Sequence, residues 1–278
     1  MLVPGPGHAF GVEGMRPLEI GFIVIGNEIL QGFTTDTNST FLTRHLTQLG
    51  HRVVRIVTVG DDVGTIVQHL RAMLKGDLDV VFVCGGLGST PDDVTMEAVG
   101  KALGRPLVVH PKARAWIAER VKELHSEGRI PNAGMDEPHI RMAKVPRGAK
   151  VLHNRAGTAP GTVIELPAKG KGKAKKVIIL PGVPKELKYL YTQEIEGKVL
   201  RQSSETPYYE EMTVNIAEST MHEVLKRFSR EVPQVYLGSY PQDDRTVVLR
   251  LSGRKDQVQA SVKRLRQDLG HIGDRDFL

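Results

Sequence analysis

The chain has 278 residues, 40% hydrophobic and 25% charged, with a formal net charge of +6, which suits one large or two modest globular domains and an anionic partner such as a nucleotide. No apolar run approaches the ~18 residues of a membrane span, and residues 1–17 lack the apolar core of a signal peptide. The single cysteine, Cys84, excludes an intrachain disulfide and a cysteine-based zinc cluster, and cytoplasmic residence is expected.

Residues 1–17 are rich in Gly and Pro and read as a loose extension, with Met15 an alternative start. Glu19–Gly26 then reads as a buried strand. Asp36–Leu49 carries Phe41, Leu42, His45, Leu46 and Leu49 on one helical face, where His45 is a packing residue. A second strand, Arg52–Val59, leads to Asp61 and Asp62, which start a helix carrying Val63, Ile66, Val67, Leu70 and Leu74. Leu78–Cys84 is a third strand, and Thr95–Leu103 and Lys112–His125 are further helices. The tract Lys169–Lys176 (KGKGKAKK) lies between two strand-like segments and reads as a solvated hairpin loop rather than a nucleic-acid patch. Aromatic residues make up 5% of the chain, so base-stacking platforms are not indicated. After residue 200 the order becomes strand Glu211–Ala217, a helix capped by Ser219, strands Val235–Ser239 and Thr246–Leu251, and a last helix.

Alternating strands and helices predict an α/β domain with a mostly parallel sheet covered on both faces. The βαββα tail predicts a small α+β domain with an antiparallel sheet, joined by a linker near 196–206. The expected divisions are residues 18–198 and 206–278. In such sheets ligands bind where loops leave the carboxyl ends of the strands. That places the search after Gly26, Val59, Cys84 and Leu180.

The densest signal is Gly85-Gly86-Leu87-Gly88-Ser89-Thr90-Pro91-Asp92-Asp93, between a buried strand and a helix. Its glycines allow a sharp turn with exposed amides, which favour a phosphate. Ser89 and Thr90 add hydroxyls, and Asp92 and Asp93 point to a divalent cation between carboxylate and phosphate. Thr90 can also serve as N-cap, with Pro91 at the first helical position and Asp93 completing a capping box. After the first strand come Gly26–Gly32, containing Glu28, and then Asp36 and Asn38. Asp36 or Asn38 contacts a sugar hydroxyl or a metal, or Asp36 is the helix cap; both readings stay open. Leu180–Leu187 (LPGVPKEL) offers Pro181, Gly182 and Lys185 for a second phosphate, or is an ordinary turn with Pro at the helix start. Gly157-Thr158-Ala159-Pro160-Gly161 lets a ligand approach closely. The P-loop, dinucleotide-binding GxGxxG and G-x-S-x-G signatures are missing.

The stretches Ile25–Asn38, Val59–Asp62, Gly85–Gly100, Gly157–Gly161 and Leu180–Leu187 together resemble the MoaB/Mog (molybdopterin-binding-like) domain, specifically the N-terminal region of the CinA family. Eukaryotic FAD synthase carries a related domain, and Val235–Pro241 is similar to a segment of those relatives. The resemblance implies a three-layer sandwich followed by a KH-like domain, without the GxxG loop that binds nucleic acid. It also implies that a nicotinamide-nucleotide amidase activity, carried by a further domain in many CinA proteins, is absent. Ser89 stands where CinA members often carry proline, Pro91 is more Mog-like, and Asp92 replaces an arginine common in Mog proteins.

The expected function is a metal-dependent nucleotide pyrophosphatase acting on ADP-ribose, FAD or a similar dinucleotide. Asp93, with Asp92 or Asp36, would hold Mg2+, Mn2+ or Co2+. Gly85, Gly86, Gly88, Ser89 and Thr90, with Asp36, Asn38, Glu28, Gly157, Thr158, Gly161, Pro181, Gly182 and Lys185, would bind substrate. The alternatives are a molybdopterin-binding or adenylylating protein and a non-catalytic nucleotide-binding or oligomerisation module. A homo-oligomer, dimer or trimer, is expected, with neither nucleic acid nor membrane as partner.

Overall fold

Period-two alternation along an apolar strand buries both of its faces when helices cover the sheet on either side. The strand β1 (Glu19–Ile25) shows this directly. Ile23 and Ile25 enter one core with Ile66, Leu70, Val81, Val83, Ala98 and Val99. Ile20, Phe22 and Val24 enter a second with Leu42, Leu46, Phe82, Leu180, Leu187 and Leu190. Phe22 and Phe82 meet edge to face across the sheet, ring centroids 5.6 Å apart. This computed structural model describes residues 16–168, 170, 172–204 and 208–273.

In chain order the elements after β1 are α1 (Asn27–Leu30), α2 (Thr37–Gln48), β2 (Arg52–Val59), α3 (Val63–Lys75), β3 (Val80–Cys84), α4 (Thr95–Leu103), β4 (Leu107–Val109), α5 (Pro111–Ser126), α6 (Glu137–Met142), β5 (Lys144–Pro146), β6 (Lys150–Leu152), β7 (Gly161–Leu166), β8 (Lys175–Leu180) and α7 (Pro184–Leu190), which runs into a π-helical turn, Tyr191–Ile195. Six strands form one sheet in the order β2-β1-β3-β8-β7-β6. The first four are parallel; β7 and β6 run antiparallel to their neighbours. The architecture is the α/β sandwich with a mostly parallel sheet that the sequence predicts. A separate two-stranded ribbon, β4-β5, is antiparallel, and α5 buries Ala113, Ile117 and Val121 beside Ala143.

Register aligns the carboxyl ends of the parallel strands: Ile25 pairs with Val59, Val24 with Cys84, and Cys84 with Leu180. Two backbone bonds continue the alignment into the loops, Gly26 N–H to Val59 O at 3.1 Å and Gly85 N–H to Leu180 O at 3.0 Å. The four loops singled out from the sequence therefore leave one edge of the sheet together.

The chain divides into two compact units after Ser204. The second contains β9 (Tyr208–Val214), α8 (Glu218–Glu231), β10 (Tyr236–Pro241), β11 (Val247–Gly253) and α9 (Lys255–Gly273). Its sheet is antiparallel in the order β10-β11-β9, and Met212, Met221, Phe228, Leu249, Leu251, Val258 and Leu265 form its core.

Several local expectations need correction. Thr90 does not cap α4, which starts five residues later at Thr95 with Val94 as N-cap and no side-chain cap. Ser219 does not cap α8; the N-cap is Ala217. The lysine tract is not simply a solvated loop, because Lys175 and Lys176 belong to β8. Lys173 reaches the buried Asp79 carboxylate at 3.0 Å, so part of the tract is drawn inward by a buried charge. Arg16 is likewise held, pairing with Asp79 at 2.5 Å. The remaining expectations for residues 1–15, and for Lys169 and Lys171, lie outside the described residues.

Candidate functional site

The loop after β3 is shaped by a backbone that only glycine tolerates comfortably. Gly85 has φ 109°, and a Cβ there would collide with the Ile25 carbonyl of the neighbouring strand. The Thr95 hydroxyl, fully buried, then donates to Gly85 O at 2.8 Å and locks the strand end to the start of α4. The rest of the loop folds around Asp93. Its Oδ1 accepts from Gly88 N–H at 2.7 Å, and its Oδ2 accepts from Thr90 N–H at 2.8 Å and the Thr90 hydroxyl at 2.7 Å. The expected roles thus change places. Amides predicted to face a phosphate are satisfied by the carboxylate predicted to face a metal.

Two adjoining hollows flank this turn and share Gly86, Leu87, Gly88, Asp93 and Met142. One, of about 390 Å³, is also lined by Glu28, Thr158, Ala159, Pro181, Gly182, Val183 and Glu186. The other, of about 250 Å³, adds Pro91, Glu97, Leu107, Arg141, Lys144 and Pro160 among others. Motif segments far apart in sequence therefore do converge. Among the predicted residues, Gly86, Gly88, Asp93, Glu28, Thr158, Pro181 and Gly182 line the cleft.

The others do not line it. Asp36 is the N-cap of α2, accepting from Ser39 N–H at 2.9 Å. Asn38 is buried and donates to Gly182 O at 2.7 Å, so it braces the Leu180–Leu187 turn from behind. Gly85 is buried, and Gly161 is the first residue of β7, also buried. Ser89, Asp92 and Lys185 are exposed outside the lining. Thr90 serves the loop through Asp93. Among the described residues no three His, Cys, Asp or Glu side chains form a metal cluster, so Asp36, Asp92 and Asp93 do not make a common centre. Asp62 caps α3, accepting from Thr65 N–H at 2.7 Å, and Asp61 accepts from Asn27 N–H at 2.9 Å.

Three side chains that the motifs did not assign border the cleft. Arg141, on α6, donates to Thr90 O at 2.5 Å, while its Nε is buried without a partner beside the cleft. Lys144, at the start of β5, lines the same hollow. Glu186, in the first turn of α7, is half-buried. Burial pushes its carboxyl above the ordinary range, against the opposing pull of the Asn154 hydrogen bond and the charges of Arg120 and Lys185. Asn154 Nδ2 donates to Glu186 Oε2 at 2.5 Å and to Ala159 O at 2.9 Å. Gly157 makes room for this carboxylate, since a Cβ there would collide with it. Arg141 and Lys144 sit in a stretch without motif or clear periodicity. Glu186 falls within Leu180–Leu187, but an acid in the first turn of a helix reads as a helix-dipole partner.

Residues 21–201 match the sequence profile of a family described as "Probable molybdopterin binding domain". The chain belongs to that family. A protein of Archaeoglobus fulgidus is 32% identical over 252 residues, 90% of this chain and 97% of that relative. A CinA-like protein of Thermosipho melanesiensis is 33% identical over 251 residues, 90% of this chain but 59% of its own length. A crystal structure of CinA from Thermoplasma acidophilum, described as of unknown function, superposes with TM-score 0.53 at 37% identity, covering 63% of this chain and 95% of that one. The molybdopterin-binding family and its CinA-like members are those the sequence motifs resemble. The matched segment contains every residue of the cleft. Among the described residues no helix is long and apolar enough to cross a membrane.

Proposed function

We propose that the chain is a divalent-metal-dependent nucleotide pyrophosphatase acting on ADP-ribose, FAD or a similar dinucleotide. The observation that carries this reading is the pairing of opposite chemistries across one cleft. The cations Arg141 and Lys144, the former with a buried unpartnered Nε, lie on one side of the Gly86–Gly88 turn, and the desolvated Glu186 lies on the other. A diphosphate needs the cations; its hydrolysis needs a base for the attacking water.

Mg2+ keeps several waters and is commonly held by one or two carboxylates plus substrate phosphates. Glu28 is exposed at the cleft and Asp93 Oδ1 accepts a single loop hydrogen bond, so these two carboxylates would hold such an ion, whereas a resident site with three protein ligands does not fit the described residues. When bound, such a cation neutralises charge developing on the phosphoryl oxygens. Arg141 and Lys144 bind the diphosphate. Glu186, its carboxyl raised above the ordinary range by burial, accepts the proton of water as the water oxygen attacks phosphorus. The bridging P–O bond breaks, and ADP-ribose plus water gives AMP and ribose 5-phosphate. The Asn154 amide fixes the orientation of Glu186 throughout.

The test is incubation with ADP-ribose or FAD and Mg2+, Mn2+ or Co2+, followed by measurement of AMP. Metal-dependent AMP release is the expected result, and no release from either substrate with any of the three metals would overturn the reading. The family description favours a second reading, a molybdopterin-binding protein of cofactor biosynthesis. A pterin retained through purification would support it. We also propose a homo-oligomer, which a light-scattering mass equal to the 30.6 kDa chain would refute.

A further inference from the structure

Asn154, which donates to Glu186, also borders a further cavity of about 470 Å³ lined by Trp116, Glu119, Arg120, Glu123, His153, Asn154 and Arg155. Its size is within the ~300–1,000 Å³ of small-molecule sites. Trp116 on α5 and His153 after β6 stack face to face, centroids 4.3 Å apart and planes 11° apart, and both rings border the cavity. Arg120 pairs with Glu123 at 2.8 Å through one terminal nitrogen, yet its Nε is buried without a partner. Arg155 is exposed and has no ion-pair partner among the described residues. Asn154 belongs to this wall and also donates to Glu186 of the diphosphate cleft, so one side chain joins the two hollows.

We propose that this cavity is a nucleoside subsite, taking the base and sugar of one half of a dinucleotide whose diphosphate lies in the Gly86–Glu186 cleft. The assignment rests on the pyrophosphatase reading for the position of the diphosphate. A planar heterocycle extends the Trp116–His153 stack, because any base presents a π-face to an aromatic platform. Glu119 and Glu123 accept from ribose hydroxyls or an exocyclic amine. Arg155 meets the phosphate leaving the sugar, and the free Arg120 Nε donates to the base edge or the sugar. An aromatic-poor chain thus places its one tryptophan where a base would stack.

That tryptophan is also the probe. Trp116 is the sole tryptophan, so fluorescence excited beyond tyrosine absorption reports on this cavity alone. AMP, ribose 5-phosphate and orthophosphate are titrated separately into the full chain, with ADP-ribose turnover measured in parallel. The subsite predicts saturable quenching by AMP and none by ribose 5-phosphate or orthophosphate. Arg155→Gln, an exposed change that spares the fold, should weaken AMP at least about tenfold, and Trp116→Ala should do the same by calorimetry. Turnover without quenching overturns the subsite and leaves the hydrolase standing. Quenching without turnover supports the subsite and removes the hydrolase. Equal quenching of wild type and Arg155→Gln by all three ligands also overturns it, because the signal then carries no recognition of the base.

Discussion

The loop Gly85–Asp93 and the walls that face it, Arg141–Lys144 and Asn154–Glu186, divide the work of the site unequally. Much of what looks functional in the loop's sequence is used internally. Gly85 permits the turn, Thr95 ties it down, and Asp93 takes up the Gly88 and Thr90 donors. The walls look ordinary in sequence yet hold a buried, unpartnered Arg141 Nε and a carboxyl whose pKa burial raises above the ordinary range. Dense motifs mark where the backbone is hardest to build. Free valence marks where a ligand is bound.

Substitutions separate the two regions. Glu186→Gln should have the largest effect, a loss on the order of 10²–10⁴-fold in turnover, the range for general-base removal. A base works deprotonated, so the wild-type rate should climb as pH rises through a carboxyl pKa lying above the ordinary range, and Glu186→Gln should lack that limb. Asp93→Asn should lower turnover about 10²-fold and also lower the melting temperature, because an amide accepts on one atom where the carboxylate accepts three bonds on two. The expected loss is about 1–3 kcal/mol. Unchanged melting would show that the loop does not depend on those bonds. Arg141→Gln should raise KM at least about tenfold with a smaller change in kcat.

Away from the cleft, Asp79 gives a pH test of stability alone. Burial raises its pKa, but Arg16, the Glu19 amide and Lys173 outweigh that and bring it from 3.8 to about 2. A depressed folded pKa stabilises above the unfolded value and loses that contribution as pH falls. About 1–2 kcal/mol should therefore disappear between pH 4 and 2, and Asp79→Asn should flatten that part of the curve. Ser89→Ala should have the smallest effect, within about 0.5 kcal/mol in stability and about twofold in turnover, since Ser89 is exposed outside the lining.

The fold was legible wherever a strong period ran for several residues. β1, β2, β3, α2, α3 and α5 all fall within one or two residues of expectation, because apolar strands and amphipathic helices announce themselves. The strands β4, β5 and β6 have three residues each and too little sequence for a period to register. The edge that carries the site was legible from topology, and Gly86, Gly88, Asp93, Glu28, Thr158, Pro181 and Gly182 do meet there. Their roles were not. Whether Asp93 faces a metal or its own loop depends on a tertiary turn, and the state of Glu186 depends on burial against Asn154 and Gly157, distant in sequence.

Side-by-side turnover of ADP-ribose by Glu186→Gln and Asp92→Asn, both checked for wild-type melting, tests most directly the claim that Glu186 on the wall, and not the exposed acid of the motif loop, takes the proton from water. The account predicts at least about a 10²-fold loss for Glu186→Gln. For Asp92→Asn it predicts a change of no more than about threefold, the side chain lying exposed outside the cleft. An active Glu186→Gln beside an inactive Asp92→Asn would contradict it and return the catalytic role to the loop.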